Sequence, residues 1–250
     1  MGNNKNKSSD AELGFWLTIP STIVAEIYSL FPYDFGVIDL EHSTISLDDM
    51  QNMLSVLEAA NKRSLVRLSE NNPTLIKRVM DAGASGVIVP MVNTVEDAKK
   101  IIDSVYYPPK GKRGVGLARA QKYGEGFPDY KIKSEKNDFE IIVQIEHIDA
   151  VKNLSKILDL EQINGFIVGP YDLSASLGLP GNFEDKSFLE ALVQIEKIAE
   201  NTNKKQGFHL VEPSVQEYKK LLDKSYNFIV YSLDVRQLAT SAKSIFEIEK

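Results

Sequence analysis

Short, nearly continuous apolar runs alternate along this chain with longer stretches in which apolar residues recur at helical spacing. The runs fall at 13–19, 35–40, 64–68, 86–90, 141–146, 165–169, 207–211 and 228–232. The helical stretches follow them in turn, near 22–31, 47–61, 73–82, 94–105, 147–158, 186–202, 214–223 and 235–248. Strands that are apolar on both faces belong in a parallel sheet covered by helices. Eight of them, each followed by a helix, predict a closed (β/α)₈ barrel, a single-domain α/β fold. An open doubly wound sheet is the alternative. The barrel is drawn over 11–250, behind a polar tail at 1–10, MGNNKNKSSD, expected to be disordered. One connection is long, 107–138, and loops of that length in a compact domain are usually functional.

A barrel carries its chemistry at the C-terminal ends of its strands. Strand two runs out into Asp39, Glu41 and His42, and strand three ends in Arg67. Strand five ends in Gln144 and Glu146, and strand six in Gly169-Pro170-Tyr171-Asp172. Strand seven brings His209, and strand eight Ser232 and Asp234. Polar groups on apolar strands are costly to bury alone, so their convergence at one end points to a site.

Glu146 and Asp172 stand at adjacent strand ends. Two carboxylates completed by water and substrate oxygens form a hard ligand set suited to Mg²⁺ or Mn²⁺. The alternative is that each carboxylate caps the next helix, and Asp172 has a turn after it to cap. Arg67 is either a permanent cation for a carbonyl or enolate oxygen, or half of a structural ion pair. His42, following Asp-x-Glu, is the best-placed general base. His209 faces the barrel interior or a helix, His147 reads as a surface residue starting a helix, and Trp16 reads as core.

Composition narrows the chemistry. A net charge of −6 gives no attraction for nucleic acid or an anionic membrane. There are no cysteines, which removes disulfides and thiolate metal sites. No signal peptide or membrane-spanning run is legible, and a cytoplasmic enzyme is expected. None of the eight predicted strands holds a lysine, so a Schiff-base aldolase is not expected; if the barrel makes or breaks a carbon–carbon bond, a metal must act as electron sink. The segments after strands seven and eight, VEPSVQ and SLDVRQ, lack a glycine-rich phosphate loop, which favours a carboxylate substrate.

Seven motifs then appear in order: IDLEH at 38–42, VRL at 66–68, MDAG at 80–83, VPMV at 89–92, YPPKGKRGVG at 107–116, VQIE at 143–146 and GPYDLSASLG at 169–178. Together they resemble the HpcH/HpaI aldolase family over nearly the whole chain after the tail. The resemblance implies a divalent-metal-dependent (class II) pyruvate aldolase, a carbon–carbon lyase. It would cleave a 4-hydroxy-2-oxo carboxylate reversibly to pyruvate and an aldehyde through an enolate. It implies Glu146 and Asp172 as metal ligands, with Mg²⁺ first and Mn²⁺ or Co²⁺ as alternatives. Gln144, Tyr171 and Asp172 match the pyruvate-binding segment, Arg67 the enolate-stabilising residue and His42 the base. Asp81, in MDAG, matches an aspartate that tunes that base. Because Asp81 ends a helix, it lies at the opposite face of its own barrel and can reach only a neighbour's site. The resemblance implies a homo-oligomer, a hexamer built as a trimer of dimers, with shared sites and exchanged C-terminal helices. Tyr171, His209 and Tyr231-Ser232 depart from the better-known aldolases, on the acceptor side. An enolate-condensing, citrate-forming synthase and a non-catalytic carboxylate-binding barrel remain alternatives.

Overall fold

A computed structural model describes residues 11–224 and 226–247; the expected tail at 1–10 lies outside them. Eight parallel strands close in sequential order, β1 (Glu12–Leu17), β2 (Phe35–Asp39), β3 (Arg63–Arg67), β4 (Gly86–Val89), β5 (Glu140–Ile145), β6 (Gly165–Val168), β7 (Lys205–Leu210) and β8 (Phe228–Tyr231). β8 returns to β1 through the register Glu12↔Phe228 and Gly14↔Val230. The closed barrel is therefore the fold, and the open sheet is excluded.

The helices are α1 (Thr22–Ser29), α2 (Leu47–Ala59), α3 (Pro73–Asp81), α4 (Val95–Val105), α5 (Phe127–Glu135), α6 (Ile148–Leu158), α7 (Pro170–Ser176), α8 (Lys186–Ala199), α9 (Val215–Asp223) and α10 (Asp234–Ser244). Their starts are chemically marked. Ser46 and Thr94 form reciprocal capping boxes with Asp49 and Asp97, and the Asn72 side chain caps α3 ahead of Pro73. His147 caps α6 with its Nδ1 accepting from the Asp149 amide, the surface role expected of it. The long connection is ordered: it holds a 3₁₀ turn at Arg119–Gly124 and all of α5.

Alternation along the strands sorts the barrel interior into layers. At the lower, N-terminal end stand Glu12, Arg63, Glu140 and Lys205. Arg63 and Lys205 both bond Glu12, at 2.6 and 2.7 Å, and Lys205 reaches Glu140 at 2.5 Å. Above them Phe35 stacks on Phe228 at 4.3 Å, in space that Gly14 leaves open: a Cβ there would meet the Phe35 ring at 2.4 Å. Val37, Leu65, Ile88, Ile142, Ile167 and Val230 fill the middle. Two residues further along β2, β3 and β5 stand Asp39, Arg67 and Gln144, and β7 brings His209 beside Val230. The outer faces of the strands pack on the helices in a separate, larger apolar cluster.

One expectation needs correcting. β7 begins two residues earlier than its apolar run, so a strand lysine does exist, Lys205. It sits at the lower end, paired to two glutamates, because a cation is tolerated inside the barrel where carboxylates meet it. It is remote from the end where barrel chemistry occurs, so it supplies no Schiff base.

Candidate active site at the C-terminal mouth

Trp16 forms the floor. It is buried, and its Nε1 donates to Asp39 Oδ2 at 3.1 Å. The Arg67 guanidinium lies over the Trp16 ring at 4.8 Å and grips Asp39 with two bonds, Nε to Oδ1 at 2.9 Å and Nη2 to Oδ2 at 2.6 Å. Its remaining nitrogen, Nη1, is 3.0 Å from Glu41. Burial works to raise the Asp39 pKa, but the bonds to Arg67 outweigh it and hold the carboxyl below its ordinary value. The ion-pair reading of Arg67 holds, and the locked guanidinium also lines the mouth.

Asp39 positions more than the arginine. Its Oδ1 also accepts from the backbone amides of Glu41 at 2.9 Å and His42 at 3.3 Å. That turn presents the exposed His42 imidazole at the rim.

Glu146 stands just past β5. It is buried and accepts from the Met91 amide at 2.5 Å through Oε1 and from the Gln144 amide group through Oε2. Met91 presents that amide from a left-handed backbone, φ +53, which a β-strand end rarely adopts. Gly169 leaves room beside the pair, since a Cβ there would come within 3.3 Å of Gln144 and 3.4 Å of Glu146. Burial pushes the Glu146 pKa up, and the neighbouring charges of Glu41 and Asp172 push the same way. Glu41 is raised by burial as well, with Arg67 opposing and Asp39 and Asp172 adding. One Glu41 oxygen, Oε2, is buried without a hydrogen bond.

Asp172 lies in the first turn of α7, whose cap is Gly169, so it is not the cap that starts the helix. It is exposed to the mouth. A cavity of about 320 Å³ opens there, lined by His42, Arg67, Gln144, Tyr171, Asp172 and His209 among others. A second cavity, about 450 Å³, lies between α8 and α9 outside β7; its charged residues, Glu196, Glu212, Glu217, Lys220 and Lys224, are of both signs.

Among the described residues the ledger of charge at the mouth is uneven: Asp39, Glu41, Glu146 and Asp172 face one cation, Arg67. Among the described residues no group of three or more His, Cys, Asp or Glu side chains is gathered to hold a metal ion unaided. Two carboxylates from β5 and α7 with open positions between them are the donor chemistry a hard divalent cation takes. The raised Glu146 and Glu41 are the groups such a charge would relieve. The residues present fit the cation.

His209 is inside the barrel, its ring stacked on Trp16 at 4.3 Å. Asp234 is structural: it accepts from the Thr18 and Ile19 amides, each at 2.9 Å, and ties the start of α10 to the end of β1. Asp81 is not at the mouth of its own barrel. It closes α3, bonded to Arg113 at 2.6 Å and Gln121 at 3.3 Å in the long connection. Sequence alone missed Met91, because only the folded backbone reveals its amide. Asp39 and Glu41 were visible as strand-end acids, but their bonds to Arg67 were not.

The sequence profile of the HpcH/HpaI aldolase/citrate lyase family matches residues 12–241. A 2-keto-3-deoxy-L-rhamnonate aldolase of Salmonella gallinarum is 34% identical over 233 residues, covering 91% of this chain and 85% of its own length. The enzyme of the same name from Klebsiella pneumoniae is 35% identical over 228 residues, 90% of this chain and 84% of its own. Among solved structures, an HpcH/HpaI aldolase/citrate lyase family protein from Burkholderia cenocepacia superposes with a TM-score of 0.89 at 26% identity, over 96% of this chain and 95% of that one.

Proposed function

The chain belongs to the HpcH/HpaI aldolase/citrate lyase family, and on that premise we propose which of its residues carry the pyruvate-aldolase reaction and on what substrate. It is a carbon–carbon lyase of the class II type, and dependence on a divalent metal is the rule in this family. The proposed substrate is a 4-hydroxy-2-oxo carboxylate of the sugar-acid kind, as the names of its relatives suggest. The metal proposed is Mg²⁺, with Mn²⁺ or Co²⁺ as substitutes.

Glu146 and Asp172 would hold the cation. When bound, it supplies Lewis-acid polarisation of the 2-oxo acid. Gln144 orients Glu146 and, with the chain at Tyr171-Asp172, borders the space for the pyruvate part. His42 takes the proton from the C4 hydroxyl as the C3–C4 bond breaks, the aldehyde departs and the electron pair passes into the enolate. The same imidazole then returns the proton to C3 to give pyruvate. Arg67, held rigid by Asp39 and Trp16, faces the developing negative oxygen without having to reorganise.

The observation that carries this reading is the surplus of carboxylates around one arginine at the mouth. Exhaustive chelation should abolish pyruvate release from a 4-hydroxy-2-oxo acid, and Mg²⁺ or Mn²⁺ should restore it. Full turnover in the metal-free protein would end the proposal. Running oxaloacetate as an acceptor beside an aldehyde separates cleavage chemistry from citrate-forming condensation.

Asp81 belongs to the proposal through a second subunit. Its Oδ2 makes no hydrogen bond among the described residues, while Oδ1 is held by Arg113 and Gln121. Beside it the long connection exposes Val115, Leu117 and Tyr123, and elsewhere α10, which packs on β1, exposes Val235 and Leu238. Apolar surface of this kind suits burial against another chain, with exchange of the C-terminal helix between subunits and a trimer of dimers as the proposed assembly. Mixing His42→Ala with Asp81→Ala subunits, with exchange verified by mass, should regenerate part of the activity. No recovery would remove Asp81 from the site.

A further inference from the structure

His209 occupies an inward position of β7, where the neighbouring inward groups are either apolar or already paired. Its ring lies flat on Trp16, 17° from parallel, and lines the catalytic cavity. Nε2 stands 3.4 Å from the carbonyl oxygen of Ser232. A carbonyl only accepts, so Nε2 carries the hydrogen and Nδ1 carries the lone pair. That carbonyl is fixed in place. Ser232 is left-handed, φ +64, with its amide on Leu210 at 2.7 Å and its hydroxyl on Val211 at 2.9 Å. Nδ1 has no hydrogen-bond partner among the described residues.

Burial, reinforced by the charge of Arg67, pushes the imidazole pKa down to about 3. With Nε2 turned to the Ser232 carbonyl, Nδ1 is left as the acceptor. The guanidinium of Arg67 is already bonded to Asp39 and lies 3.0 Å from Glu41, so its nearest charges are these two carboxylates.

We propose that His209 sets the acceptor class: its Nδ1 accepts a hydrogen bond from a hydroxyl of the aldehyde fragment, favouring hydroxylated aldehydes over apolar or carboxylate-bearing ones. The inference rests on the aldolase reading above and names the substrate class of the same site. An apolar aldehyde would leave Nδ1 buried and unpaired, and a second carboxylate would meet a lone pair and a surplus of acids.

The test measures kcat/KM in the synthesis direction with pyruvate and either glyceraldehyde or propionaldehyde, which have equal carbon chains. The quantity read is the ratio of the two within each variant, so a general loss of activity cancels. The wild type should prefer glyceraldehyde. His209→Phe keeps the stack on Trp16 without the lone pair, and His209→Leu removes both; each should lower the ratio by roughly ten- to a hundredfold, the size expected when a buried acceptor loses its partner. His209→Asn, which returns an acceptor near the Nδ1 position, should recover much of it. An unchanged ratio in His209→Phe overturns the proposal, as does a loss that His209→Asn fails to restore. Exchange of the pyruvate methyl protons, which needs no aldehyde, is followed in parallel. Its absence in the wild type would instead defeat the aldolase reading.

Discussion

The two ends of this barrel both gather charged side chains and differ in how those charges are matched. At the lower end two cations, Arg63 and Lys205, meet two carboxylates, Glu12 and Glu140, and the cluster is sealed by the stacked Phe35 and Phe228 rings. Both cations also lie over those rings, each 5.2 Å from a centroid. At the upper end four carboxylates meet one arginine. Matched charge inside a barrel holds strands together. Unmatched charge is retained only where something else supplies the balance, which makes the mouth the reactive end.

The largest effect should follow from touching the surplus itself. Glu146→Gln keeps size and packing but removes one ligand charge, and turnover should fall by more than ~100-fold, beyond the usual cost of disturbing a ligand's neighbours. Circular dichroism should show an intact fold. A variant within ~10-fold of the wild type would place the cation elsewhere.

Asp39→Asn attacks the one matched pair at the mouth. It leaves Arg67 buried with only Glu41 beside it, which should cost roughly 3 kcal/mol in chemical denaturation, the scale for breaking a buried pair on one side. A loss below ~1 kcal/mol would mean that Arg67 is not held as described. Activity should fall as well, because the same carboxylate fixes the backbone that presents His42.

The smallest effect belongs to the lower end. Burial opposes ionisation of Glu12, yet the bonds to Arg63 and Lys205 prevail and its pKa lies below the ordinary 4.5. With the folded value below the unfolded one, its stabilisation is full above about pH 4.5 and is lost as pH falls through the folded value. Glu12→Gln should cost about 1 kcal/mol near pH 7, since the group is partly exposed and screened, and should flatten stability against pH on the acid side. Metal-dependent turnover should survive. An unaltered acid profile would show that the lower cluster is not a working set of ion pairs.

Much of this contrast was legible before folding. The eight apolar runs gave the barrel because each is long enough for one buried strand, and the acids at their ends stood out against apolar neighbours. The lower cluster was not legible: Glu12, Arg63, Glu140 and Lys205 each flank an apolar run and read as strand boundaries. Only strand register brings four such boundaries to one plane. The Met91 amide was hidden for a related reason, since a left-handed methionine has no sequence signature. Asp81 was recognised by motif, and its bonds to Arg113 and Gln121 depend on how the long connection folds back across α3. His209 stood out as unusual, but its neutral state needed the ring's burial against Trp16 and its line to Ser232.

The central claim is that the unmatched carboxylates at the mouth hold a divalent cation, and calorimetric titration of exhaustively chelated protein with Mn²⁺ tests it directly. Wild type should bind Mn²⁺ stoichiometrically, more tightly when pyruvate is present, and Glu146→Gln should lose that binding. Equal affinity in the two proteins, or no binding by the wild type with or without pyruvate, would contradict the account.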